Sequence, residues 1–208
     1  GRAKHDLKDY LGAIADYTKA IKIQPQDPEN YYNSRGKTKA KLKDSLGAIA
    51  DYTKAIEINP QHVNAYFNRA TAKKNLEDYQ GAILDCTKAI DINPQDAHAY
   101  SNRGSAKHEL EDYQGAISDY TKATEIDPQY AIAYFNRGTA KDDLEDYAGA
   151  IADYTQAIEI NPDDADTYIN RGISKRMLVD LNGACKDWKV AAELGNEDAA
   201  KMLEEHCN

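Results

Sequence analysis

Residues 131–162 read AIAYFNRGTAKDDLEDYAGAIADYTQAIEINP, and the spacing within them decides the fold. Tyr147, Ala150, Ile151, Tyr154, Ala157, Ile158 and Ile160 recur mostly at i, i+3, i+4 and i+7, which predicts an amphipathic helix over roughly 147–160. An earlier helix over roughly 131–144 carries Ala133, Tyr134, Gly138 and Leu144, with Arg137 and Lys141 set among them. Glu145–Asp146 make a polar turn and put negative charge at the start of the second helix. Asn161–Pro162 closes the stretch, since proline cannot continue the preceding helix.

The pattern returns along the chain. Pro60, Pro94, Pro128 and Pro162 stand 34 residues apart, as do Tyr66, Tyr100, Tyr134 and Tyr168, and Ala82, Ala116, Ala150 and Ala184. With the proline at position 32, five full units span 29–62, 63–96, 97–130, 131–164 and 165–198, after a partial unit over 1–28. Helices this short are marginal alone in water, so each must bury its stripe against neighbours, and a row of such pairs stacks into an α-solenoid.

A 34-residue helix–turn–helix with a large aromatic at position 4, small residues at 8, 20 and 27, an aromatic at 24 and proline at 32 resembles the tetratricopeptide repeat (TPR) family. In the third full unit the matching residues are Tyr100, Gly104, Ala116, Tyr120, Ala123 and Pro128. The resemblance covers essentially all of residues 1–208 as one array. It implies an all-α fold, an α-solenoid in which antiparallel helix pairs form a right-handed superhelix. Residues 196–208 resemble the family's C-terminal capping helix, with Ala199, Met202 and Leu203 on one side and Glu197, Asp198, Glu204 and Glu205 around it. Gly1 corresponds to position 8, so the chain is expected to be a fragment, with an uncovered surface at its start through which it self-associates.

Comparison among the repeats separates fixed positions from varied ones. Position 7 is arginine in every full unit (Arg35, Arg69, Arg103, Arg137, Arg171), where typical TPRs prefer a hydrophobic residue. Position 11 is lysine (Lys4, Lys39, Lys73, Lys107, Lys141, Lys175) where they prefer tyrosine. Position 23 is aspartate throughout (Asp16, Asp51, Asp85, Asp119, Asp153, Asp187). Arginine and lysine four apart share a helical face, and in an antiparallel pair position 7 lies near the height of position 23. A structural charge ladder is therefore expected. Arg69, Lys73 and Asp85 would form one set, Arg103, Lys107 and Asp119 a second, and Arg137, Lys141 and Asp153 a third. The competing account is exposed pairs, with lysine amines snorkelling outward.

Positions 2, 5, 9 and 12 vary, and their spacing makes them one stripe of the first helix. In the TPR family that stripe lines a concave groove holding extended peptides or partner helices. The candidate groove residues begin with Lys37, Asn64, Phe67, Asn68, Thr71 and Lys74. They continue with His98, Asn102, Ser105 and His108, then Phe135, Asn136, Thr139, Asp142 and Asn170. Phe67 and Phe135, the chain's two phenylalanines, both occupy position 5 and are natural interface anchors. The position-6 asparagines can donate to and accept from a peptide backbone, or else bond from helix to helix. Arg2, Lys37, Lys41 and Lys74 make the early stripe basic, while Asp142, Asp143 and Asp166 make the later part acidic. An unconstrained solvated face would vary in the same way.

The chaperone-tail clamp of some TPR domains needs lysine at position 5 and arginine at position 6 of particular units. Here position 5 is Asn33, Phe67, Ser101, Phe135 or Ile169, and position 6 is never arginine, so that function is not expected.

The totals exclude other classes. The formal net charge of −9 disfavours a nucleic-acid partner, and no apolar run approaches the ~20 residues of a membrane span. The five histidines lack metal-pair spacing, and no phosphate loop or nucleophile elbow appears, so no catalysis, metal or cofactor is expected. Three cysteines make no disulfide framework, so a reducing, cytoplasmic compartment is the default, although no compartment is named by the sequence. Cys86, in place of the position-24 tyrosine, reads as buried core. Cys185 and Cys207 fall on elements that should pack together, either as packed free thiols, the favoured expectation, or as a bridge. The chain is thus expected to be a noncatalytic scaffold for a peptide or protein partner; the alternative is an architectural spacer or self-associating array within a larger protein.

Overall fold

The computed structural model describes residues 1–6, 9–23 and 26–207, the side chain of Asp6 excepted. Among these residues there are thirteen α-helices and no strand, and the chain divides into two compact units, Gly1–Ala106 and Lys107–Asn208. The first unit holds α1 (Arg2–Asp6), α2 (Tyr10–Lys22), α3 (Pro28–Lys41), α4 (Ser45–Ile58), α5 (Val63–Lys74) and α6 (Tyr79–Ile92). The division falls inside α7 (Ala97–His108). The second unit continues with α8 (Tyr113–Ile126), α9 (Ala131–Asp142), α10 (Tyr147–Ile160), α11 (Ala165–Met177), α12 (Leu181–Glu193) and α13 (Glu197–His206).

The turn inside each pair follows from local chemistry. A position-16 aspartate caps each second helix: Asp9, Asp44, Asp78, Asp112, Asp146 and Asp180 accept from the backbone N–H three residues on, at 2.8–3.0 Å. That N–H belongs to a position-19 glycine, and an added Cβ there would strike the cap carboxylate. These glycines therefore clear the cap; they are not helix-packing residues, as position 8 is. The residue before each full-unit cap (Lys43, Glu77, Glu111, Glu145, Val179) takes φ of 60–65°, which ends the first helix and reverses the chain. Accordingly α9 stops at Asp142, and Leu144 lies exposed in the turn instead of on the helix.

Small residues against large rings make the core. In the first unit Ala48 and Ala72 enclose Tyr52, and Ala70, Ala82 and Ala106 enclose Cys86. In the second, Ala116 and Ala140 enclose Tyr120, while Ala184, Ala191 and Ala199 enclose Trp188. Position 8 must be glycine where the facing ring is closest, since a Cβ on Gly36, Gly138 or Gly172 would run into Tyr52, Tyr154 or Trp188. Gly195, at φ 93°, ends α12, and α13 lays Ala199, Met202 and Leu203 on Trp188.

Cys86 is buried and outside any disulfide, but Cys185 and Cys207 are joined by one, overturning the expectation of packed free thiols at that pair. Helix α13 brings its C-terminal residue back onto α12, an approach that spacing along the chain does not reveal. The bridge also removes the ground on which a reducing compartment rests.

Candidate functional site

The position-23 aspartates of the five full units are buried, Asp85 and Asp153 at 4 % and 3 % exposure. Arg69 grips Asp85 with two parallel bonds, Nε to Oδ2 at 2.9 Å and NH2 to Oδ1 at 2.6 Å, and Lys73 Nζ lies 2.8 Å from the same carboxylate. Arg137 and Lys141 hold Asp153 at the same distances. Arg35 and Lys39 on Asp51, and Arg171 and Lys175 on Asp187, repeat the arrangement. Lys107 reaches Asp119 at 2.8 Å. Two parallel N–H···O bonds to one carboxylate fix orientation as well as distance.

Two further partners of the arginine have no mark in the sequence. Each arginine donates through NH1 to the position-25 threonine of the preceding repeat: Arg35 to Thr18, Arg69 to Thr53, Arg103 to Thr87, Arg137 to Thr121 and Arg171 to Thr155, at 3.0–3.2 Å. The guanidinium also lies over the position-4 tyrosine of its own helix, Arg137 at 5.3 Å from the Tyr134 centroid. Each arginine thereby joins its own helix pair to the preceding one.

The varied stripe is less open than its spacing suggests. In the first unit Asn68 donates to Asn33 at 2.9 Å, and Asn102 donates to Thr71 at 3.0 Å. Lys74 donates to Asn102 and to Ser105, at 3.2 and 2.7 Å. Ser101, at position 5, is buried. Asn64, His98 and Lys37 are exposed, and Phe67 is half-buried.

In the second unit the His108 ring meets Asp143 at 2.7 Å, and the Phe135 ring packs on Tyr154 at 5.8 Å between centroids. Thr139 donates to the Phe135 carbonyl. Asp142 accepts from Tyr154 Oη and Ser174 Oγ at 2.8 Å each, and Asp166 accepts from Asn196. Lys74 and the three aspartates expected to polarise the stripe are thus also hydrogen-bonded within the fold. Ile132 is 59 % exposed, and the side-chain amides of Asn136 and Asn170 have no partner among the described residues.

Burial pushes the Asp142 carboxyl above its ordinary range, against the opposing pull of the Tyr154 and Ser174 hydrogen bonds. A carboxyl whose pKa rises on folding contributes stability below its unfolded pKa, and that contribution is lost as pH rises through the folded value. Asp142→Asn keeps an oxygen to accept from Tyr154 and Ser174 and removes the charge. It is expected to melt above wild type at pH 7 and to lose that advantage at pH 3.5. Equal differences in Tm at the two pH values would contradict this account.

Among the described residues no three His, Cys, Asp or Glu side chains are grouped to hold a metal ion, and no helix is long and apolar enough to cross a membrane.

Helix pairs tied by one repeated charge set define an α-helical repeat protein. The chain belongs to the tetratricopeptide repeat family. Profiles described as tetratricopeptide repeat match residues 29–62, 63–96 and 131–164, and one described as TPR repeat matches 1–43 and 104–141. Among curated protein sequences none matches. A crystal structure of MamA is 27% identical with a TM-score of 0.73, over 80% of this chain and 96% of that one. YrrB, described as a TPR protein with an unusual peptide-binding site, is 19% identical with a TM-score of 0.72, over 91% and 97%. PilF of Pseudomonas aeruginosa is 17% identical with a TM-score of 0.75, over 85% and 84%. The fold is the TPR solenoid class, a protein-interaction scaffold.

Proposed function

We propose that this chain is a noncatalytic scaffold whose first-helix stripe receives a peptide or protein segment, while the arginine–aspartate–lysine sets hold the repeats in register. One observation carries the reading. At the fixed positions of the full units the charges are bonded and largely buried, whereas on the stripe of α9 and α11 an apolar side chain, Ile132, stands exposed and two half-buried carboxamides, Asn136 and Asn170, have no partner among the described residues. An exposed apolar anchor beside unspent donor–acceptor groups suits an extended backbone, which needs both. YrrB, alike in fold, has a peptide-binding site of its own.

The test is to select binders from a random-peptide library on the wild-type chain and measure their affinity for an Ile132→Glu/Asn136→Ala variant. Both positions lie outside the core, so the variant should fold. Binding about tenfold weaker or more is expected. Peptides held equally by both proteins, or no binders at all, would overturn the reading.

A further inference from the structure

Within the first unit, a cavity of about 450 Å³ opens between α1 and α3, lined by Arg2 and His5 on one side and Asn30, Tyr31, Asn33, Ser34 and Lys37 on the other. Its lining differs from the rest of the surface in sign. The chain carries a formal net charge of −9, yet among the described residues no carboxylate lines this cavity and two cations do. Those cations are also free: Arg2 and Lys37 have no ion-pair or hydrogen-bond partner among the described residues, whereas Lys4, Lys39 and Lys73 are all spent on aspartates.

The neutral groups are biased the same way. Asn33 Oδ1 already accepts from Asn68, which leaves its amide hydrogens to donate. His5 Nδ1, 3.0 Å from Thr38 Oγ1, is engaged within the fold and is not offered to the cavity. Two cations and the Asn33 amide thus converge where no carboxylate among the described residues answers them.

Building on the scaffold reading, we propose that this cavity takes the acidic part of the partner, a short run of Asp or Glu side chains whose carboxylates sit between Arg2 and Lys37 and accept from Asn33. The residues differ from the chaperone-tail clamp, whose position-5 lysine and position-6 arginine this chain lacks. The volume lies within the range of ordinary ligand pockets, enough for a few side chains. Because both cations are exposed, the attraction is screened by salt and weakens as ionic strength rises.

The probe is a fluorescein-labelled hexaglutamate peptide, followed by anisotropy against the full chain, with hexaglutamine as the neutral control. Arg2→Glu/Lys37→Glu and Lys37→Glu alone are compared with Lys19→Glu/Lys22→Glu, which carries the same net charge change on exposed residues of α2. Wild type and the α2 variant should bind hexaglutamate alike and hexaglutamine not at all. The double cavity variant should bind about tenfold more weakly, with the single variant between. No hexaglutamate binding by wild type, or equal loss in the cavity and α2 variants, overturns the proposal. Peptides selected as above and dependent on Ile132 would leave the scaffold reading standing in that event.

Discussion

Asp153→Ala is expected to destabilise the protein by about 3–5 kcal/mol, because it removes the charge that answers two largely buried cations. The carboxylate is 3 % exposed and receives Arg137 at 2.6 and 2.9 Å and Lys141 at 2.8 Å. Arg137 in particular cannot simply swing into solvent. Arg137 is also bonded to Thr121 and Thr124 and lies on the Tyr134 ring, so releasing it would break the link to the preceding repeat. In a chain of this size a loss of that order lowers Tm by about 10 °C. Asp163→Ala, in an exposed turn, is the control and should change stability by less than about 0.5 kcal/mol. Replacing the whole set, as Arg137→Met/Lys141→Met/Asp153→Leu, should return to within about 2 kcal/mol of wild type, since desolvation offsets most of what a buried ion pair contributes. If Asp153→Ala melts with Asp163→Ala, the pairs are not register pins.

That asymmetry explains why the ladder is legible in the amino-acid sequence. A buried charge cannot stand alone, so arginine, lysine and aspartate must recur together, and the recurrence of Arg69, Lys73 and Asp85 as Arg137, Lys141 and Asp153 exposes the constraint. The 34-residue period of prolines, tyrosines and alanines is legible for a related reason, since each pair repeats the same contacts with its neighbours. Thr121 and its equivalents recur in every unit but the last, where Lys189 stands, yet a threonine on a helix has an ordinary local use: Thr87 and Thr155 also donate to the carbonyl four residues back. Nothing in the chain marks such a residue as the arginine's second acceptor. The stripe is the least legible part. Whether Lys74 is free or bonded to Asn102 and Ser105 depends on how one repeat is rotated onto the next, which spacing within a repeat does not encode. The position-19 glycines are ambiguous in the sequence for the opposite reason. Their constraint is local, a cap carboxylate three residues back, yet a small residue recurring on a helix looks the same whether it clears a cap or a neighbouring helix.

Breaking the Cys185–Cys207 bridge is expected to cost about 3 kcal/mol, the loop-closure entropy of a segment this long. The loss should be concentrated at the C-terminal end. Helix α13 packs on α12 through Ala199, Met202 and Leu203 against Trp188, and its first turn is capped by Asn196, whose side chain accepts from the N–H groups of Asp198 and Ala199. Those contacts alone must hold a helix of 10 residues once the bridge is open, and a helix that short has little stability of its own. Reduction should therefore raise the amide exchange rates of α13 about a hundredfold, which corresponds to roughly 3 kcal/mol in local opening. The amides of α9 and α10, on other helix pairs of the same unit, should exchange as before. Cys185→Ser should show the same fast exchange without reductant and no further change with it, because the variant has no bridge for the reductant to open: Cys207 loses its partner and Cys86 is buried. Equal protection of α13 in the oxidised and reduced wild type would mean that apolar packing on Trp188 suffices to hold the cap and that the disulfide adds nothing to it.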